Sequence, residues 1–160
     1  MSQTPGRAPM NARGGPSPST AAVSRRMSRQ RRGDTSPEVT LRRALHRDGL
    51  RFRVGFPVPG QPRRSIDIAF PRIRVAVFVD GCFWHACPEH ASWPTSNAAW
   101  WRQKLARNVE RDRESDDFLE RAGWHVIRVW EHEDPRSAAV QVANAVASRR
   151  AATEDVPRGT

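Results

Sequence analysis

Ser65-Ile66-Asp67-Ile68-Ala69-Phe70, then Val77-Phe78-Val79-Asp80-Gly81-Cys82-Phe83-Trp84-His85 beyond a Pro71-Arg72 turn, is the stretch on which the reading of this chain depends. Residues rich in Ile, Val, Ala and Phe suit a pleated, buried surface, so Arg64 to Phe70 and Arg74 to Val79 read as strands of a buried central hairpin. Asp67 sits inside the first strand and Asp80 ends the second. A carboxylate buried without a partner costs several kcal/mol, so Asp67 must point out of the sheet, pair with a cation or hold a metal. Its plainer alternative is the solvated face of an alternating strand, and Asp80 beside Gly81 is equally an ordinary turn residue.

Helices flank this hairpin. Thr35-Ser36-Pro37-Glu38 opens one, with a hydroxyl N-cap, a proline in the first turn and a carboxylate at the positive helix end. Val39, Leu41, Leu45 and Leu50 give it part of an apolar face, and Gly49 closes it. A long helix is expected over Asn97 to Ala122, carrying Trp101, Leu105, Val109, Phe118 and Leu119 and stopped by Gly123. Trp124 to Trp130 is then a third strand, and Ser137 to Arg149 a final helix. The order helix, strands, helix, strand, helix predicts an α/β fold in which helices cover a mixed sheet.

The chain has 160 residues, enough for one domain with a sizeable core. Met1 to about Ser24 is rich in Pro, Gly, Ser, Ala and Arg and reads as a disordered basic arm; residues 151–160 read as a frayed tail, leaving one folded domain over residues 25–150. The basic N-terminus lacks the apolar core of a secretory signal, and no run is long enough to span a membrane, so a cytoplasmic protein is expected. Lys plus Arg number 27 against 17 Asp plus Glu, a formal net charge of +10, and all but one of the cations are arginine. Arginine's planar fork grips phosphate oxygens or a guanine edge, which favours phosphate partners, although by charge alone a solvated surface or a basic tail accounts for the balance equally well.

Phosphodiester hydrolysis needs a cation held by hard oxygen donors and a base for the attacking water. Asp67, a group at the end of the next strand and His85 just beyond supply those parts. The chain has two cysteines, Cys82 and Cys87, which with His90 and the distant His132 form a possible tetrahedral zinc site. Zinc there would be structural, tying the end of the third strand to the loop that bears His85. The alternative is two buried free thiols and surface histidines. Phe83 and Trp84 are adjacent large rings that one core cannot readily hold together, so one or both can project as a wedge between stacked bases. Arg102, Lys104, Arg107, Arg111 and Arg113 alternate with acids on the long helix, as on a solvated ion-paired face, although some of them can reach phosphates.

Asp80-Gly81-Cys82-Phe83-Trp84-His85, Trp101-x-x-Lys104, Asn108-x-x-Arg111-Asp112, Gly123-Trp124 and Val129-Trp130-Glu131 occur in an order that resembles the very short patch repair (Vsr) endonucleases. The resemblance implies a restriction-endonuclease-like, PD-(D/E)xK-type α/β/α core with a structural zinc. It further implies magnesium-dependent nicking 5′ to the thymine of T:G mismatches left by deamination of 5-methylcytosine. Asp67 resembles the magnesium-binding aspartate, His85 the general base and Glu38 the supporting acid, while Val79 stands where the family offers a main-chain carbonyl to the metal. Met27, Phe83, Trp84 and Trp101 stand where members wedge side chains beside the mismatch, and Arg102, Lys104 and Arg111 are added as DNA contacts. Asp80 replaces a histidine of some members, and a carboxylate there can bind a second metal. Beside Cys82, Cys87 and His132, either His90 or Glu89 completes the zinc site; imidazole suits zinc better among thiolates. The partner expected is double-stranded DNA with a T:G mismatch, met by a monomer in the bacterial cytoplasm at the nucleoid, together with mismatch-repair proteins. Two other readings stand beside this one: a non-catalytic zinc-bearing DNA-binding module, and a restriction-type endonuclease of matched duplex.

Overall fold

A computed structural model of the chain describes residues 35–90, 95 and 97–154. The expected basic arm, Met27 and Trp93 lie outside the described residues. Helix α1 (Ser36–Arg47) begins at Thr35, whose backbone is extended, with Pro37 in the first turn. The Thr35 hydroxyl caps no backbone amide and instead donates to Glu38 Oε1 at 3.0 Å. Strands β1 (Arg53–Val58), β2 (Gln61–Phe70), β3 (Val75–Asp80) and β4 (His125–Trp130) form one four-stranded sheet in the order β1-β2-β3-β4. β1 and β3 run antiparallel to β2, while β4 runs parallel to β3. A parallel pair needs a crossover, and helix α2 (Ala98–Arg121) supplies it. Helix α3 (Pro135–Glu154) follows β4.

The two faces of the sheet are covered separately. On one, Leu41 and Leu45 of α1 and Ala138, Ala139, Val142 and Val146 of α3 pack against Ile68, Phe70, Val75, Val77, Ile127 and Val129. On the other, Leu119 of α2 packs with Val58, Ile66, Ala69, Ala76, Phe78 and Trp124. β3 feeds both faces, which explains its nearly unbroken apolar sequence. The mixed sheet flanked by helices is the α/β architecture that the order of elements predicts.

Beyond shifts of a single residue, β2 begins at Gln61 and not Arg64, and three other features differ from expectation. β1 is an additional strand that pairs with β2 at the sheet edge, where Gly55 and Pro57 are tolerated. α3 starts before Ser137 because Asp134 caps it, accepting from the Ser137 amide and hydroxyl at 2.9 Å each, with Pro135 in the first turn. The same helix runs on to Glu154, so residues 151–154 of the expected tail are helical.

β2 changes the apolar cluster that it feeds at Asp67. Ile66 and Ile68 are both fully buried, yet in opposite layers, although residues two apart in a regular strand share a face. Gly55, opposite Asp67 in the register, has φ +60, a conformation that side chains with a Cβ adopt only with strain. Asp67 therefore sits at the reversal and belongs to neither apolar layer.

Candidate active site and cysteine-histidine cluster

Beyond the Ile68–Val77 pair the β2–β3 ladder stops. The Val79 amide, which would continue it, donates instead to Asp67 Oδ2 at 2.8 Å. Asp80 turns its carbonyl the other way, accepting the Glu131 amide at 2.9 Å beside β4. By the alternation of a strand, Val79 thus directs its carbonyl, like its amide, toward the fork where Asp67 stands.

Burial drives the Asp67 carboxyl up to about 6, against the Val79 amide, which favours its charged form; the charges of Glu38 and Asp80 raise it further and that of His85 lowers it. Glu38, 6% exposed on α1, completes the acid group, with Arg42 Nη2 donating to its Oε2 at 3.0 Å. Among the described residues, Asp67 has no side-chain cation as a hydrogen-bond partner. A buried acid pair with a carbonyl turned the same way is a set of hard oxygen donors of the kind Mg2+ selects.

His85 lies in the loop after β3, which folds back on itself through amides of Trp84 and His85 to the Gly81 carbonyl, both at 3.1 Å. Two α2 residues one turn apart hold it: Asn108 Nδ2 donates to the Trp84 carbonyl at 3.3 Å, and Asp112 Oδ2 lies 2.5 Å from His85 Nδ1. Burial lowers the imidazole pKa, but the Asp112 hydrogen bond and the charges of Asp80 and Asp112 outweigh it, and the net shift is upward. With Nδ1–H donating to Asp112, a neutral ring keeps its lone pair on Nε2. In the sequence Asp112 belongs to a motif but has no visible role, because acids on a charged helix face look solvated.

Asp80, at the end of β3, faces Arg128 and His85. It is 4% exposed, and Arg128 Nη1 donates to its Oδ1 and Oδ2 at 2.7 and 2.8 Å, with His85 Nδ1 3.6 Å from Oδ1. Burial raises its carboxyl above the usual range despite the opposing pull of Arg128 and His85. Its carboxylate, engaged at both oxygens by one guanidinium, belongs to a buried strand end and not to a solvated turn.

Cys82, Cys87, His90 and His132 converge, their ligand atoms all within 4.8 Å of one another. Cys82 Sγ is 3.1 Å from His132 Nδ1, and Cys87 Sγ is 3.8 and 3.9 Å from His132 and His90 Nδ1. Ligands of a tetrahedral zinc stand about 3.3–3.8 Å apart, so adjustments on the order of 1 Å would bring this set to the spacing that such an ion takes. Glu89 lies further out, 3.8 Å from the far nitrogen Nε2 of His132, as a partner to that ring. Burial and the Cys87 hydrogen bond push the Cys82 thiol up to about 11. Glu131 joins the two sites by accepting the Cys82 amide at 2.7 Å.

Phe83, Trp84 and Trp101 form one aromatic cluster, with centroids 5.0 Å apart for Phe83–Trp84 and 5.4 Å for Phe83–Trp101. Trp101 is 7% exposed, so it floors the cluster while the half-buried Phe83 and Trp84 lie above it. Arg102, Lys104 and Arg111 are exposed on α2, with the Lys104 ammonium 5.5 Å from the Trp100 ring. No helix of the described residues is long and apolar enough to cross a membrane.

Acids gathered with an oriented imidazole at the fork of a helix-covered sheet, on a chain this basic, are the equipment of a DNA-cutting phosphodiesterase. A family model described as DNA mismatch endonuclease Vsr matches residues 19–90. The type II nicking enzyme V.NaeI of Lentzea aerocolonigenes is 47% identical over 131 residues, which cover 81% of this chain and 79% of that protein. The type II nicking enzyme V.XorIIP of Xanthomonas oryzae is 38% identical over 110 residues, 67% of this chain and 77% of its own. The DNA mismatch endonuclease Vsr of Escherichia coli is 37% identical over 103 residues, 61% and 62% of the respective chains. The chain belongs to the Vsr family of DNA endonucleases.

Proposed function

We propose that this protein nicks one strand of duplex DNA 5′ to the thymine of a T:G mismatch, with Asp67 and the Val79 carbonyl holding magnesium, Glu38 in support and His85 as general base. The observation that carries the reading is the fork at Asp67: a buried carboxylate, facing another acid and a nearby imidazole, at the place where two strands part. Bound there, Mg2+ would polarise the scissile phosphate and offset the carboxylate charge. His85, oriented through Nδ1 by Asp112, presents Nε2 to take the proton of the attacking water. Phe83 and Trp84, borne on the Asn108-anchored loop, part the stack beside the mismatch, Trp101 backs them, and Arg102, Lys104 and Arg111 meet phosphates. Zinc on Cys82, Cys87, His90 and His132 fixes the same loop from its other end.

The names of the relatives, nicking enzymes and a mismatch endonuclease, favour this reading over a non-catalytic binding module or a double-strand cutter. A nicking assay on labelled duplexes tests it, comparing T:G, T:A, C:G and other mismatches with and without Mg2+. One cut 5′ to the thymine, in the T:G duplex and with Mg2+ only, is expected. Equal cutting of matched duplex, or cutting in chelator, would reject it.

A further inference from the structure

Arg128 stands inside the apolar strand β4, paired in register with Phe78, its guanidinium 4.8 Å from that ring. Its fork spans three elements. Nε and Nη2 donate to Asp116 on α2 at 2.8 and 2.9 Å, while Nη1 donates to both oxygens of Asp80 at the end of β3. Nη2 also lies 3.4 Å from the Asp112 carbonyl and 3.8 Å from its Oδ1. Asp80 and Asp112 are the two carboxylates that face His85 Nδ1, at 3.6 and 2.5 Å. One guanidinium therefore sets the distance between the acids that grip the imidazole, and keeps them from repelling one another apart.

We infer that Arg128 is a positioning residue for the nicking reaction: through Asp80, Asp112 and Asp116 it locks β3, β4 and α2 together behind His85 and fixes the direction of that ring. Asp80 and Arg128 work as a matched pair, and the anion at position 80 serves the scaffold of the base. This inference rests on the reading of His85 as general base.

The test compares parental protein with Arg128→Lys, Asp116→Asn and His85→Ala. Lysine keeps the charge but, as a point donor, cannot span Asp80 and Asp116. Asp116→Asn leaves the Asp80 contacts in place and loosens only the α2 side, so it folds even where the lysine variant does not. Single-turnover nicking of a T:G duplex, duplex affinity without Mg2+, and the far-downfield proton resonance of the short His85–Asp112 bond are measured, the last assigned by its loss in His85→Ala. Arg128→Lys is expected to lower the nicking rate about tenfold or more with affinity within twofold, and to move or broaden the resonance. Asp116→Asn is expected to do the same more weakly, by about threefold. A parental rate in both variants, a rate loss matched by affinity loss, or a rate loss with an unmoved resonance would overturn the inference. Parental nicking by His85→Ala would instead remove the assignment of the base, and with it this proposal.

Discussion

Asp67 holds its charge in the free protein at an energetic cost. Its carboxyl titrates at about 6 when folded against 3.8 when unfolded, so folding shifts the balance toward the acid form although the charged form still prevails at neutral pH. A raised folded pKa gives stability that is complete below 3.8 and is lost as the pH rises through about 6. The difference, at about 1.4 kcal/mol per pKa unit, is about 3 kcal/mol by neutral pH. His85, also raised, acts in the same direction. Metal-free protein should therefore melt at lower temperature at pH 8 than at pH 5, by more in the parental chain than in Asp67→Asn. Magnesium should recover the difference at pH 8 and do little at pH 5. A parental melting curve no more sensitive to pH than that of Asp67→Asn would show that the carboxylate is solvated after all.

Elements explain how much of this could be read in advance. β3, α2 and β4 were legible because each carries an unambiguous period: an apolar run, a long amphipathic repeat ended by Gly123, and a short apolar segment after it. β1 was not, since Gly55 and Pro57 argue against a strand and only pairing with β2 overrides them. Gly55 is nevertheless where the ribbon reverses opposite Asp67, and a Cβ there would meet nothing within 4 Å. Gly55→Ala should thus cost about 1–2 kcal/mol through backbone conformation alone, read by denaturant unfolding. Convergence between elements was invisible in the same way. The Asn108-x-x-Arg111-Asp112 motif is visible in the sequence, but only the fold shows that Asn108 and Asp112 grip consecutive loop residues. Arg128 carried the same signal as Asp67, a charge within an apolar strand, yet its partners lie in two other segments, β3 and α2. Asn108→Ala should cost about 1 kcal/mol of stability from one lost hydrogen bond, and weaken discrimination of T:G from matched duplex as Trp84 loosens. Discrimination unchanged in a binding competition would disconnect that loop from mismatch reading.

For the molecule as a whole, the cysteine-histidine cluster couples fold to site, because Cys82 and His85 share one short loop and His132 lies just past β4. Both thiols must ionise to bind zinc, and Cys82 resists, so loading should release protons and affinity should fall in acid. Stripping the metal should lower the melting temperature and expose both thiols to a thiol reagent; full thiol reactivity with native melting in protein purified without chelator would count against a structural ion. The one fork of this kind among the described residues also predicts one cut per binding event, so closed circular T:G substrate should become nicked circles and not linear DNA.

The most direct measurement is single-turnover nicking of an end-labelled T:G duplex by Asp67→Asn across a magnesium titration, with duplex binding followed in parallel. Nicking should be absent at every magnesium concentration while the duplex is bound as tightly as by the parental protein or more so, because a repelling charge beside the phosphate is gone. Cutting at the parental rate with the parental magnesium dependence would contradict the account.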